Sequence, residues 1–323
     1  MPILPPNEGL VRAAFLLTLE RIQPIAAMGL LDEEGLTASL LGGVATTAPL
    51  LEELAVWEAS RIASEQSSDS VDGLDTATDS PGVQSTEPLA CWGTYTKSGG
   101  ARDPTSETAT GGDFALVIWD SPEIARLAIF QAKKGTVHKA GKKWTLNVRR
   151  GPTKSSKGFT QFVMLFANAL RCSQARISQS SLSIAKSLRT IAMPELEKNV
   201  KEIGWVHYLA YMEGVFACVP LAACSAVLSD ELVAEGASNT IEISIDSPSF
   251  YKVLNAGFNG DDKAWLPISR DTLDEILPSL LNLMPVHAVD EKGSQGLILG
   301  NVKGSAFFVS RLAGSRYSSR LQI

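Results

Sequence analysis

The sequence predicts an α/β fold of the α+β type: a central mixed sheet flanked by helices, with N-terminal helices before it and a C-terminal α+β extension after it. Three observations carry that expectation. Helical periodicity fills two stretches before residue 65, an apolar hairpin is centred near residue 122, and helix patterns alternate with short apolar runs after residue 158.

In order, residues 8–22 set Leu10, Val11, Ala14, Phe15, Leu17 and Leu19 on an apolar stripe, and residues 49–64 form a second helix. These make up an N-terminal helical unit, residues 1–64. Residues 65–88, rich in Ser, Asp, Thr and Gly, read as a flexible polar linker. The core is expected over 89–229: a strand at 89–96, a loop holding Glu107, the hairpin, a basic loop, a strand at 144–148, helices at 159–171 and 182–191, and strands at 206–212 and 215–219 closing the sheet. The extension, 230–323, offers an alternating strand at 240–246, a helix at 271–283 capped by Asp271, and late strands at 296–299 and 306–310.

The hairpin brings chemistry together. Phe114-Ala115-Leu116-Val117-Ile118-Trp119 is β-branched and aromatic, Asp120-Ser121-Pro122-Glu123 is turn chemistry, and residues 126–133 form the returning strand. A turn centred on Pro122 pairs position 113 with position 131. Side chains alternate along a strand, so Gln131 and Lys133 share a face, and directly opposed residues lie about 4.5–5.5 Å apart at Cβ. An acid, an amide oxygen and an ammonium, from Asp113, Gln131 and Lys133, therefore converge at one end of the hairpin.

Those groups suit phosphodiester hydrolysis. Mg²⁺ takes hard oxygen ligands in an octahedron and retains several waters, so a carboxylate, an amide oxygen and a phosphate can complete its shell. Asp113 and Gln131 offer such oxygens, and Glu107 is a candidate further acid. Lys133 would orient the attacking water and offset charge on the phosphorus oxygens. Gly111 and Gly112 permit a tight backbone turn into the strand.

The run Glu107…Gly112-Asp113-Phe114…Phe130-Gln131-Ala132-Lys133 resembles the PD-(D/E)xK nuclease superfamily, in the Gln-x-Lys branch found in Mrr-like restriction enzymes and bacterial defence nucleases. The resemblance extends more loosely through Gln161, in helix 159–170, to Trp205-Val206-His207-Tyr208. It implies a restriction-endonuclease-like core, Mg²⁺ or Mn²⁺ as cofactor, and an endonuclease acting on nucleic acid, DNA before RNA, in restriction or anti-phage defence. It also implies an acid from the first helix of the core, for which Glu52, Glu53 and Glu58 are candidates. Gln131 replaces the acid at the family's third position, which leaves less negative charge at the site. That replacement supports an alternative: a catalytically silent nucleic-acid-binding or scaffold protein that keeps the fold.

Charge is segregated along the chain. There are 29 Lys and Arg against 35 Asp and Glu, a net charge of −6, which alone predicts no nucleic-acid partner. Yet residues 124–194 hold 14 Lys or Arg and no acid, leaving 15 basic and 35 acidic residues elsewhere. Solvated faces mix both signs, so this segment reads as a surface for phosphates. Lys134, Lys139, Lys142, Lys143, Arg149 and Arg150 are its candidate contacts; an acidic partner protein is the competing reading.

Other classes are excluded by what is missing. Gly111-Gly112-Asp113-Phe114 lacks the second acid of the GGDEF signature of diguanylate cyclases, and no phosphate-binding Gly-rich loop or Gly-x-Ser-x-Gly elbow occurs. The four cysteines, Cys91, Cys172, Cys218 and Cys224, form neither Cys-x-x-Cys pairs nor a disulfide framework, which fits a reducing cytoplasm. No basic, apolar leader opens the chain, and residues 205–228, the most apolar stretch, are broken by His207, Glu213 and Pro220, so no membrane partner is expected. A homodimer or an activating partner protein is compatible with all of this.

Overall fold

Two helices open the structure, a computed structural model describing residues 9–68, 112–121, 123–138, 143–148, 158–173, 179–212, 215–234, 240–244, 246–261, 263–281, 286–290 and 296–299. Helix α1 (Leu10–Ala27) buries Ala13, Ala14, Phe15, Leu19 and Ile22, and ends before Gly29, whose φ of 69° is a conformation glycine adopts without penalty. Helix α2 (Glu33–Ser68) begins at Glu33 rather than at residue 49 as expected. The Asp32 carboxylate accepts the Gly35 N–H at 2.8 Å, Glu33 and Glu34 lie in the first turn, and Leu36, Leu40, Leu41 and Ala48 continue a buried stripe. The boundary expected at residue 64 falls inside this helix. A Cβ on Gly43 would collide with the Thr18 side chain, so α1 and α2 meet where only glycine fits.

The elements that follow are β1 (Phe114–Trp119), β2 (Ile124–Lys134), β3 (Thr136–His138), β4 (Lys143–Asn147), α3 (Gln161–Ser173), α4 (Ser181–Leu188), α5 (Met193–Lys201), β5 (Val206–Met212) and β6 (Val215–Pro220). After them come α6 (Ser225–Ala234), β7 (Thr240–Ile243), α7 (Phe250–Phe258), β8 (Leu266–Ser269), α8 (Arg270–Leu281), β9 (Val286–Asp290) and β10 (Gly296–Leu299).

The fold is α+β, with a mixed central sheet ordered β10-β9-β1-β2-β5-β6 and with β8 also paired to β2. Strands β1 and β2 are antiparallel with Phe114 opposite Phe130, the register that the turn chemistry predicts, and just before the paired residues the Asp113 N–H donates to the Phe130 carbonyl at 2.9 Å. Strand β5 runs parallel to β2, and β6 returns antiparallel to it. The strand expected at 144–148 is β4, but it belongs to a separate sheet, β3-β4-β7. The region past residue 230 is not an appendage to the sheet. It supplies β8 to β2, β9 parallel to β1, and β10. The strands expected at 89–96 and 306–310 lie outside the described residues.

Both faces of the sheet are covered, so β1 and β5 are buried at every residue and show no polar alternation. Ala115, Val117, Leu127 and Ile129 pack with Phe162 and Phe166 of α3, Ile184 and Leu188 of α4, and Ile276 of α8. The alternate residues Phe114, Leu116, Ala128 and Phe130 pack with Phe15 and Leu19 of α1, Leu36 and Leu40 of α2, and Phe250 of α7. Phe130 is the hub of that second layer. Its ring lies 5.1 Å from Phe114, 5.4 Å from His207 and 5.2 Å from Phe250.

His207 is neutral in this layer. Its Nε2 lies 2.9 Å from the Ala264 carbonyl and donates to it, and burial lowers its pKa from 6.5 to about 4 despite that bond. Above pH 6.5 the ring is neutral folded and unfolded; as pH falls toward 4 only the unfolded state takes the proton, so stability is lost across that window. The shift corresponds to about 3 kcal/mol at roughly 1.4 kcal/mol per unit. Urea midpoints measured from pH 7 to pH 4 should fall less steeply for His207→Gln than for the native chain.

Candidate functional site

The polar groups of the site gather where β2 ends and the chain enters β1, at the starts of α2 and α3. Asp113 is 2% exposed, Gln131 0%, Gln161 3% and Lys133 8%, in a sheet otherwise lined by apolar side chains. Buried polar atoms need partners, and these partners are mostly one another. One Asp113 carboxylate oxygen, Oδ2, accepts the Ala132 N–H at 2.6 Å and Gln131 Nε2 at 2.7 Å. Gln131 Nε2 also donates to the Ala132 carbonyl at 3.1 Å, and Gln161 Nε2 donates to Gln131 Oε1 at 3.4 Å. A carboxylate and two amides thus run in series from β1 through β2 to the first residue of α3.

The register explains the convergence. With its N–H tied to the Phe130 carbonyl, Asp113 brings its carboxylate beside Gln131 and Ala132, where charge-assisted bonds hold it at the strand end. Strand β5 adds Tyr208 beside Gln131, fully buried and stacked on Phe162 at 6.1 Å. Burial first, and the charges of Asp113 and Glu33 among lesser causes, keep the Tyr208 hydroxyl well above the usual phenol range. Tyr211, sharing a 2.9 Å hydrogen bond with Thr37, is raised too, so neither phenol serves as a base near neutral pH.

Lys133 meets an acid that the sequence reading did not name. Its Nζ donates to Glu33 Oε1 at 2.9 Å, and Glu33 Oε2 accepts the Lys134 N–H at 3.2 Å. Lys134 Nζ donates to the Leu31 carbonyl at 3.3 Å, which fastens the α1–α2 turn to the end of β2. The acids proposed from the same helix stand elsewhere. Glu53 is exposed and lies 20 residues along α2, about 30 Å at 1.5 Å per residue, and exposed Glu58 faces Arg61 at 3.9 Å. The side chain of Glu52 is outside the described residues. The signal for Glu33 was local: Asp32 as a cap, two acids in the first turn, then apolar residues at helical spacing.

Among the remaining candidates, Lys134 is exposed at the site's edge. Glu107, Lys139, Lys142, Arg149 and Arg150 lie outside the described residues, and Lys143 is described only through the backbone of β4. Cys172 and Cys224 are pushed up to about 12 by burial, which removes them as thiolate nucleophiles at neutral pH. Among the described residues, no three His, Cys, Asp or Glu side chains cluster as a metal site. The oxygen donors at hand are the carboxylates of Asp113 and Glu33 and the amide of Gln131, a set suited to a hard cation rather than a soft one. No family model, no curated protein and no solved structure matches the chain. No helix among the described residues is long and apolar enough to cross a membrane.

Proposed function

We propose that this chain is a metal-dependent nuclease, hydrolysing phosphodiester bonds of nucleic acid, DNA before RNA, in a restriction or anti-phage setting. The observation that carries this reading is the burial of an acid, two amides and an ammonium paired with a second acid at one end of an apolar sheet. Such groups cost stability relative to apolar side chains of the same volume, and their clustering is what a reaction centre requires. The succession α2, β1, β2, α3, β5, with β5 parallel to β2, supports this reading, although the α-β-β-β-α-β order expected of such a core has one more strand, and β4, between β2 and α3, lies in the other sheet.

Mg²⁺ or Mn²⁺ would be held by the Asp113 carboxylate and Gln131 Oε1, with Glu107 as a further ligand. When bound, the ion supplies Lewis-acid polarisation of the phosphate and a more acidic water. The Gln131 amide now turns its nitrogen toward Asp113, so a cation there requires the amide to turn over. Glu33 positions Lys133, whose ammonium lies at the strand end to offset charge on the phosphorus oxygens. The exposed Lys134 and the basic segment after it would draw in the phosphate backbone.

Plasmid DNA, single-stranded DNA and RNA incubated with the full chain and Mg²⁺ or Mn²⁺ test this. Cleavage that EDTA abolishes is expected. Absence of cleavage with every substrate and ion would transfer the case to the silent nucleic-acid-binding or scaffold reading, which one observation favours: Asp113 and Lys133 are each already held by internal partners. Changing Lys139, Lys142 and Lys143 together to Ala should weaken binding and flatten its salt dependence by about one unit of log–log slope per lost contact. Unchanged affinity and slope in a filter-binding titration would remove that segment from the interface.

A further inference from the structure

Helix α4 carries a cation back toward the buried polar cluster. The Ser181 hydroxyl at its start donates to the Asn168 side chain, midway along α3, and Arg189, just past its last residue, lies over the ring of Phe159, two residues before α3 opens at Gln161. The two helices therefore run antiparallel, and α4 ends beside the end of α3 that joins the cluster. Phe159 is 4% exposed, and its Cα lies no more than about 7 Å from that of Gln161. The Arg189 guanidinium carbon is 4.3 Å from the centre of the ring, and the residue is exposed.

We propose that Arg189 is a second phosphate-binding residue, which takes the nucleic-acid backbone beside the phosphate at Lys133. The proposal rests on the nuclease reading of the site and extends it to a residue beyond the hairpin. Three arguments carry it. First, a buried ring fixes the plane of an exposed guanidinium, so the side chain gives up less freedom when it meets a phosphate, and its donors lie in an edge that suits two phosphate oxygens. Second, the ground beside it is open. Gly158, next to Phe159, is exposed, and a Cβ built on it would meet nothing within 4 Å. Third, Arg189 stands in the segment without acids, residues 124–194, with exposed Lys186 one turn earlier on α4. A cation past a helix C-terminus also answers the helix dipole, but that role needs only the charge and not a stacked plane.

Anisotropy of a labelled DNA duplex and of a labelled RNA strand, titrated with the full chain in EDTA over a range of salt, reads binding apart from cleavage. Arg189→Ala should lower the log–log salt slope by about 0.9 and weaken binding about eightfold at about 0.1 M salt, the loss of one phosphate contact. Arg189→Lys should recover the slope but bind more weakly than the native chain, because an ammonium is a point charge that the ring does not orient. Lys252→Ala, exposed on α7 in the opposite layer, should bind as the native chain does. All three positions are exposed, so far-ultraviolet spectra should be unchanged. A flattened slope for Arg189→Ala supports the proposal whether or not the native chain cleaves. An unchanged slope, an equal fall for Lys252→Ala, or Arg189→Lys binding as tightly as the native chain would overturn the proposal and leave the nuclease reading standing; a native chain that binds neither probe would overturn both.

Discussion

Lys133→Ala should lower metal-dependent cleavage about 10²–10⁴-fold while leaving Mn²⁺ affinity in place, because it removes the ammonium and keeps every oxygen donor. Glu33, left without that partner, is part-exposed, its side chain 29% accessible, and can be hydrated, so the fold tolerates the change. Asp113 behaves differently. Asp113→Ala strands a buried Ala132 N–H, at about 1–3 kcal/mol for an unsatisfied group, and removes one of the two acceptors of Gln131 Nε2, and so mixes a stability defect with a catalytic one. Asp113→Asn keeps an acceptor for the Ala132 N–H and should lose both the metal and cleavage while still binding nucleic acid. Single-turnover cleavage and calorimetric Mn²⁺ titration separate these outcomes. Equal cleavage by the native chain and all three variants would remove this hairpin as the active site.

Phe130→Ala should cost about 3–5 kcal/mol, the range for emptying a large aromatic from a packed core. Phe130 is fully buried and touches rings from β1, β5 and α7, so no single neighbour can collapse into the void. The loss should appear as a lower urea midpoint with an unchanged slope. A loss under 1 kcal/mol would mean that the layer between the sheet and α7 is not packed as described.

The hairpin was legible because its signals are local and mutually consistent. Turn residues at 120–123 and two apolar runs of matched length leave one register, and that register brings Asp113 to the end of β2 that carries Gln131. Gln161 was reachable through the wider resemblance. The pairing of Glu33 with Lys133 was not, since it spans 100 residues and nothing in either segment reports the other. Glu52, Glu53 and Glu58 stand out in the sequence because the apolar pattern from residue 49 predicts a helix start there, whereas Asp32, whose carboxylate accepts the Gly35 N–H, marks the start of α2. Strands β8 and β9 were missed for a related reason. Each is only four or five residues long, and each pairs with a strand far away in sequence. Helix α5, opened by Met193-Pro194, has only a two-turn pattern, too short to stand out from its surroundings.

The central claim is that Asp113 and Gln131 hold a divalent cation beside Lys133. Crystals of the native chain soaked in Mn²⁺ and measured at the manganese absorption edge test it most directly. The account predicts an anomalous peak about 2–2.5 Å from an Asp113 carboxylate oxygen, with the Gln131 amide turned so that Oε1 faces the ion. Full anomalous signal from Mn²⁺ bound elsewhere, or none at all, with Gln131 Nε2 still donating to Asp113, would contradict it.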